Sequence, residues 1–278
     1  MSADPRRSGA HRRTTEGLTA AGLGALLAAA GRRSPSDDRR ARTRAMPVPF
    51  ISAATLQELP EVTAQTTLAG APPDDHPDRG TAGLIVHPRA PLPVLDAVAG
   101  TAFAQIRPAW HGTETWLPVI EQQPGWARVL LPSHPGTTGW LDVSRVTLAG
   151  SPYTIHLDFR AGELRLLRDS RAAGTWPATL GAAPGSVPAG RTFLLSCVRR
   201  APRTAPVLLR LAVPINDRDP GLLTIHAGSA PLGEPGERSG IRVPDSAMSA
   251  LQAVPPGCLV HIDTSPGEPS QLWPPDVN

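Results

Sequence analysis

The sequence predicts a mainly β protein, with a small barrel followed by a second β-rich domain that holds one short helix. Three observations carry this. Pro and Gly are abundant, at 33 and 26 of 278 residues, which disfavours long helices and favours short strands joined by turns. From Leu84 onward, β-prone runs recur between Gly, Pro and Ser breaks. Within YTIHLDF, Tyr153, Ile155, Leu157 and Phe159 alternate with Thr154, His156 and Asp158, the two-residue period of a half-buried strand.

Residues 1–45 form an Arg-rich N-terminus. Ten Arg face four acids over residues 1–44, a net +6, whereas the remaining 234 residues carry 17 Arg against 20 acids. All basic residues are Arg and none is Lys. The rest of the chain is thus mildly acidic, with no basic stripe for phosphates, so a nucleic-acid partner is not expected. The stretch Arg6 to Arg13 precedes the apolar run Leu18–Gly31, the layout of an export signal. A disordered tail with a short helical patch fits the same residues, and Met46 is a second candidate start.

Residues 46–83 read as a linker, with a short helix or strand around Phe50–Leu59. Residues 84–149 hold the runs LIVH, FAQIR, WLPVI, WARVLLP and GWLDV, the spacing of a small barrel or sandwich. In 150–264, YTIHLDF and ELRLLRD read as a strand–turn–strand pair. GTWPATLG, RTFLLSCV, VLLRLAV and LLTIHAG follow as strands, and CLVHID closes the sheet. The one helix is expected near the end, capped by Asp245 or Ser246, with Met248, Leu251 and Val254 on one face and Pro255-Pro256-Gly257 as the stop. Residues 265–278 are a tail.

Cys197 and Cys258 sit in apolar runs and are expected to be buried. Whether they pair is open. With no CxxC and no adjacent His pair, the sequence offers no metal site and no cofactor site.

The passage GWARVLLP…GTTGWLDVSRV, with Gly125-Trp126 and Gly139-Trp140, resembles a bacterial SH3-like domain, in which such pairs open strands. The resemblance implies either a Trp-based platform for peptide or glycan, or tryptophans that pack the barrel core.

From Ser151 to Thr264 the chain resembles the L,D-transpeptidase family. YTIHLDFRAGELRLLRD is similar to its opening hairpin. ATLGAAPGSVPAGRTFLL is similar to its substrate-side stretch, with Val187-Pro188-Ala189-Gly190 in place of a Thr-Pro-x-Gly turn. LLTIHAGSAPLGEPGERSGIRVPDSAMSALQAVPPGCLVHI follows the order of its signature end: strand, lid, nucleophile loop, Ile-Arg pair, helix and last strand. The chemistry implied by the resemblance needs a thiolate, an activating His and oxyanion-holding N–H groups. The family supplies the first two in a Ser/Thr-His-Gly-Cys run.

Alignment on Ile241-Arg242 places Glu237, Arg238, Ser239 and Gly240 under those four positions. Nucleophile and activating His are therefore both replaced, and the lid is a couple of residues short. His226 and Arg242 remain as candidate substrate-binding residues, Arg242 because a guanidinium fork matches a carboxylate. Cys258 lies beyond the helix and does not take over.

The resemblance implies an extracytoplasmic cell-wall protein whose partner is peptidoglycan or a cell-envelope protein. Loss of the nucleophile loop implies a pseudoenzyme. The alternative is an active transpeptidase that uses Ser239 with His226 as base. The sequence assigns no oligomeric state.

Overall fold

Strand alternation and turn chemistry locate most elements of the computed structural model, which describes residues 46–110, 112–133, 136–181, 187–199, 207–214, 222–228 and 240–264. The export-signal run and the tail lie outside the described residues. The described residues belong to one compact unit, Ala45–Asn278. They contain no helix long and apolar enough to cross a membrane.

The chain enters through helix α1 (Ala53–Glu58), where the Ser52 hydroxyl accepts the Thr55 N–H. There follow β1 (Leu84–Pro88), β2 (Leu92–Leu95), β3 (Ala102–Ile106), β4 (Ala109–Trp110) and β5 (Thr113–Glu114). Next come β6 (Leu117–Gln123), β7 (Trp126–Leu131), β8 (Thr137–Asp142) and β9 (Val146–Gly150). Seven of these nine form an antiparallel sheet in the order β3-β2-β8-β7-β6-β1-β9, and β4 pairs with β5 alone. Gly125, at φ +84°, opens β7. Gly139-Trp140, by contrast, lies within β8, where a Cβ on Gly139 would strike Val94 of β2. Trp126 and Trp140 are 1% and 7% exposed and pack with Leu95. Of the two implied roles, these tryptophans fill that of core packing.

The second sheet contains β10 (Tyr153–Asp158), β11 (Glu163–Arg168), β12 (Arg171–Pro177), β13 (Thr179–Leu180) and β14 (Gly190–Arg199). It continues with β15 (Val207–Pro214), β16 (Leu222–Ala227), β17 (Gly240–Val243), helix α2 (Asp245–Leu251) and β18 (Leu259–Asp263). Asp158 makes the first turn, its carboxylate accepting the N–H groups of Arg160 and Ala161 at 2.9 and 2.8 Å. Asp169 and Ser170 both take positive φ between β11 and β12, as a two-residue hairpin turn requires.

The strand order is β12-β11-β10-β18-β14-β15-β16-β17-β13. Its two edge strands, β12 and β13, are consecutive in the chain and separated only by Ala178. The sheet therefore curls until its edges nearly meet, which leaves little open edge. GTWPATLG, expected as one strand, is divided between those edges. CLVHID does not close the sheet but sits inside it, parallel to β10 and antiparallel to β14.

Helix α2 plugs the curl with Ala247, Met248 and Leu251, beside Ile155, Leu209, Ile225 and Ile241. Its N-cap is Pro244, with no side-chain cap; Asp245 stands in the first turn, where its charge suits the helix dipole. The opposite face of the sheet lays Phe193, Leu195, Ala212 and Leu259 on the seven-stranded sheet, in a core shared with Val94, Leu117 and Val129.

The segment 46–83 is strapped down. Val62, Ala64 and Leu68 are buried in the shared core. The Arg191 guanidinium grips Asp74 through two bonds, of 2.7 and 2.6 Å, with both side chains about 5% exposed. Arg128 of β7 reaches the Pro73 carbonyl and Asp75.

His156 and His261 are register partners on β10 and β18 and stack at 4.9 Å. Burial holds both at about 4, below the ordinary 6.5. The charges of His261 and Arg165 add to the effect at His156; at His261 Arg191 adds and Asp78 opposes.

Two outcomes follow. Asp74→Ala leaves the Arg191 charge buried and is expected to lower urea-unfolding stability by about 3–5 kcal/mol, with part of it recovered in Asp74→Leu/Arg191→Met. Between pH 6.5 and about 4 the unfolded chain binds protons at His156 and His261 that the folded chain does not, so stability falls as pH falls through that window. Calorimetric Tm is expected to drop less over it in His156→Phe/His261→Phe than in the parent.

Candidate functional site

Strands β16 and β17 run parallel, with Thr224 opposite Gly240, Ile225 opposite Ile241 and His226 opposite Arg242. Alternation decides which groups meet. Leu223, Ile225, Ile241 and Val243 point into the core around α2. Thr224, His226, Gly240 and Arg242 therefore share the other face. Two of the residues retained from the sequence pattern, His226 and Arg242, are thus direct neighbours. Glu237, Arg238 and Ser239 lie outside the described residues.

Gly240 is the informative position. A Cβ built on it would stand 2.5 Å from His226 Nε2, 2.7 Å from Cδ2 and 3.3 Å from the Thr224 hydroxyl. The imidazole occupies the space that any side chain at this position would enter. His226 Nδ1 lies 3.1 Å from the Ala227 carbonyl oxygen. A carbonyl only accepts, so Nδ1 carries the hydrogen and donates it. In the neutral ring this leaves Nε2 as a lone pair aimed at the Gly240 side.

Arg242 is 6% exposed. Its stem crosses the backbone at Gly228, where an added Cβ would lie 2.6 Å from Cγ. Gly228 is therefore required by the path of Arg242, a reason invisible in the local sequence. On the far side, Thr179 of β13 is the register partner of Arg242.

Cys258 is buried on the chain leading into β18. Its thiol donates to the Tyr153 carbonyl at 3.2 Å, and burial pushes its pKa up to about 12. It is a poor source of thiolate at neutral pH. Cys197, expected to be buried, is exposed on β14, and among the described residues neither cysteine forms a disulfide.

Three residues not singled out from the sequence share this face. Arg210 of β15 is the register partner of Thr224, and Ser196 of β14 is the register partner of Arg210. The signal was present in VLLRLAVP, where one charged residue interrupts an apolar strand.

No protein-family model and no curated protein matches the chain. Several solved structures overlap it in part. A Bdellovibrio bacteriovorus protein, Bd1075, is 23% identical with a TM-score of 0.33, over 41% of this chain and 48% of that one. The match thus spans about half the length of that protein. An L,D-transpeptidase from Mycobacterium tuberculosis H37Rv is 15% identical with a TM-score of 0.35, over 46% and 72% of the two chains. One from Mycobacterium smegmatis is 9% identical with a TM-score of 0.33, over 53% and 99%. Overlaps of this size carry no argument about the chemistry, which rests on the site's own geometry.

Gly240→Ala is expected to destabilise the protein by about 1–3 kcal/mol, because the new methyl overlaps the imidazole. In Gly240→Ala/His226→Ala the penalty is expected to shrink, giving a non-additive double-mutant cycle in chemical denaturation. Additive costs would mean that the ring does not hold that space.

Proposed function

We propose that this chain is an exported, L,D-transpeptidase-like cell-wall protein that binds a peptidoglycan stem peptide, or an envelope protein, and has lost cysteine acyl transfer. In this reading residues 84–149 are an SH3-like domain and 150–264 the transpeptidase-like domain. The ordered motifs from Ser151 to Thr264 support it.

One observation carries the reading further. The His226 ring stands where a side chain on Gly240 would be. A simple loss of sulfur would leave a cavity beside an unchanged His. Here the neighbouring ring takes up the room, so position 240 itself has no space for a nucleophilic side chain. Acyl transfer needs a nucleophile within hydrogen-bond reach of its base and an oxyanion site facing the carbonyl. His226 and Arg242 can still accept and donate hydrogen bonds to a bound peptide.

The alternative places the acyl group on Ser239, one residue before Gly240, with the free lone pair of His226 as base. A carbapenem acylates the nucleophile of the resembled family, so it separates the two. After incubation with a carbapenem, intact-mass measurement is expected to show no adduct, while isolated peptidoglycan retains the protein on sedimentation. An adduct that disappears in Ser239→Ala would replace this reading with the active one.

A further inference from the structure

One end of the two sheets encloses a cavity of about 260 Å³. It lies where β14 begins and its antiparallel neighbours β15 and β18 end, together with the end of β7. Its floor is apolar, with Leu131, Phe193, Val213 and Ile262 all buried. The lining residues Pro77, Gly136 and Pro188 are exposed and mark its mouth. The strap closes one side tightly. A Cβ on Gly190, at φ +113°, would stand 2.9 Å from the Pro77 Cβ. His226, Gly240 and Arg242 do not line the cavity, so it is separate from the β16–β17 face.

The walls decide what the cavity can hold. Charge is already balanced at the rim. Asp74 accepts two bonds from Arg191, at 2.7 and 2.6 Å, and a further Arg191 N–H goes to the Arg79 carbonyl. A charged ligand would give up its hydration here without meeting an uncompensated opposite charge. The Thr192 hydroxyl is spent on the Ala212 carbonyl at 3.1 Å. Ser133 differs. Its residue is 3% exposed, and its hydroxyl bonds that of Thr137. Two such hydroxyls spend one hydrogen between them. Ser133 therefore keeps a lone pair in either direction, and its own hydrogen as well when Thr137 donates.

One uncharged polar anchor thus stands beside an apolar floor. Water gains little from such a space, because a bound water needs about two to four polar partners. An apolar body gains the burial of its surface. A cavity of about 150 Å³ accommodates benzene, so one of about 260 Å³ suits roughly ten non-hydrogen atoms. We propose that this cavity is a binding site for a small neutral molecule, an apolar body of that size carrying one hydroxyl that pairs with Ser133. The inference goes beyond the peptide-binding reading and does not rest on it.

The test uses the full chain and probes that share a phenylpropyl body: 3-phenylpropan-1-ol, 3-phenylpropylammonium, 3-phenylpropanoate and propylbenzene. By titration calorimetry near neutral pH the alcohol is expected to bind saturably, and both ions about tenfold more weakly or worse. Ser133→Ala is expected to weaken the alcohol about threefold or more and to leave propylbenzene unchanged. Ala212→Leu enlarges a side chain on the cavity wall and is expected to abolish binding of both. Overpacking can unfold a protein at such a position, so the site is also located directly in the parent. There, protons of the bound alcohol are expected to show nuclear Overhauser contacts to the Phe193 ring and the Val213 methyls.

No saturable binding of the alcohol overturns the proposal, and so does equal affinity for the alcohol and the two ions. Undiminished binding by a folded Ala212→Leu protein, or contacts only to residues outside the cavity, overturns it as well. An unchanged Kd for the alcohol in Ser133→Ala overturns the hydroxyl anchor.

Discussion

The apolar contact between the two sheets is the constraint on which the rest depends. Phe193, Leu195, Ala212 and Leu259 project from the outer face of the second sheet into the core of the first. A curled sheet around one short helix has two faces, and only the inner one is covered by its own residues. Exposing three large apolar side chains and an alanine on the other would be unfavourable. The first sheet covers them, and the strap from Val62 to Leu68 closes the same core. This uses up the half of the outer face near β18. The remaining half, over β15 to β17, is where Arg210, Thr224, His226 and Arg242 are left.

The same arrangement explains why the strap is tied by charge. Asp74 and Arg191 are nearly fully buried where the strap crosses β14. Such pairs give little net stability compared with apolar packing, but either partner alone would be costly. The pair therefore specifies where the strap docks more than it strengthens the fold. A cavity of about 260 Å³ lies beside it, lined by Leu131, Phe193 and Val213 among others. Its polar walls, including Ser133 and Thr192, are satisfied within the protein.

At the site itself, glycine and histidine are mutually dependent. Gly240 can lie beside the imidazole only because it lacks a Cβ, and the imidazole can lie there only because position 240 is glycine. Gly228 and Arg242 repeat the relation one step along the sheet. Two bulky polar groups are thereby held flat against a strand pair that would otherwise lift them away. Such packing suits recognition of a ligand laid across the face. It leaves little room for a tetrahedral intermediate built on a side chain at position 240.

Much of this was legible in the sequence alone. The mainly β class, the Tyr153–Arg168 hairpin, most strands and the helical face of Met248 and Leu251 follow from two-residue and near-four-residue periods, which are local properties of the chain. His226 and Arg242 were legible only as two separate candidates, and the parallel register of β16 and β17 made them neighbours. What tertiary structure decided is non-local. The split of GTWPATLG between opposite sheet edges depends on curvature. The burial of Trp126 and Trp140 depends on the partner strands. The row of Ser196, Arg210 and Thr224 joins three strands whose register no single segment encodes. Local sequence sets which way each side chain points along its own strand, whereas which side chains become neighbours is set by strand order and register, and these arise only when the whole core closes.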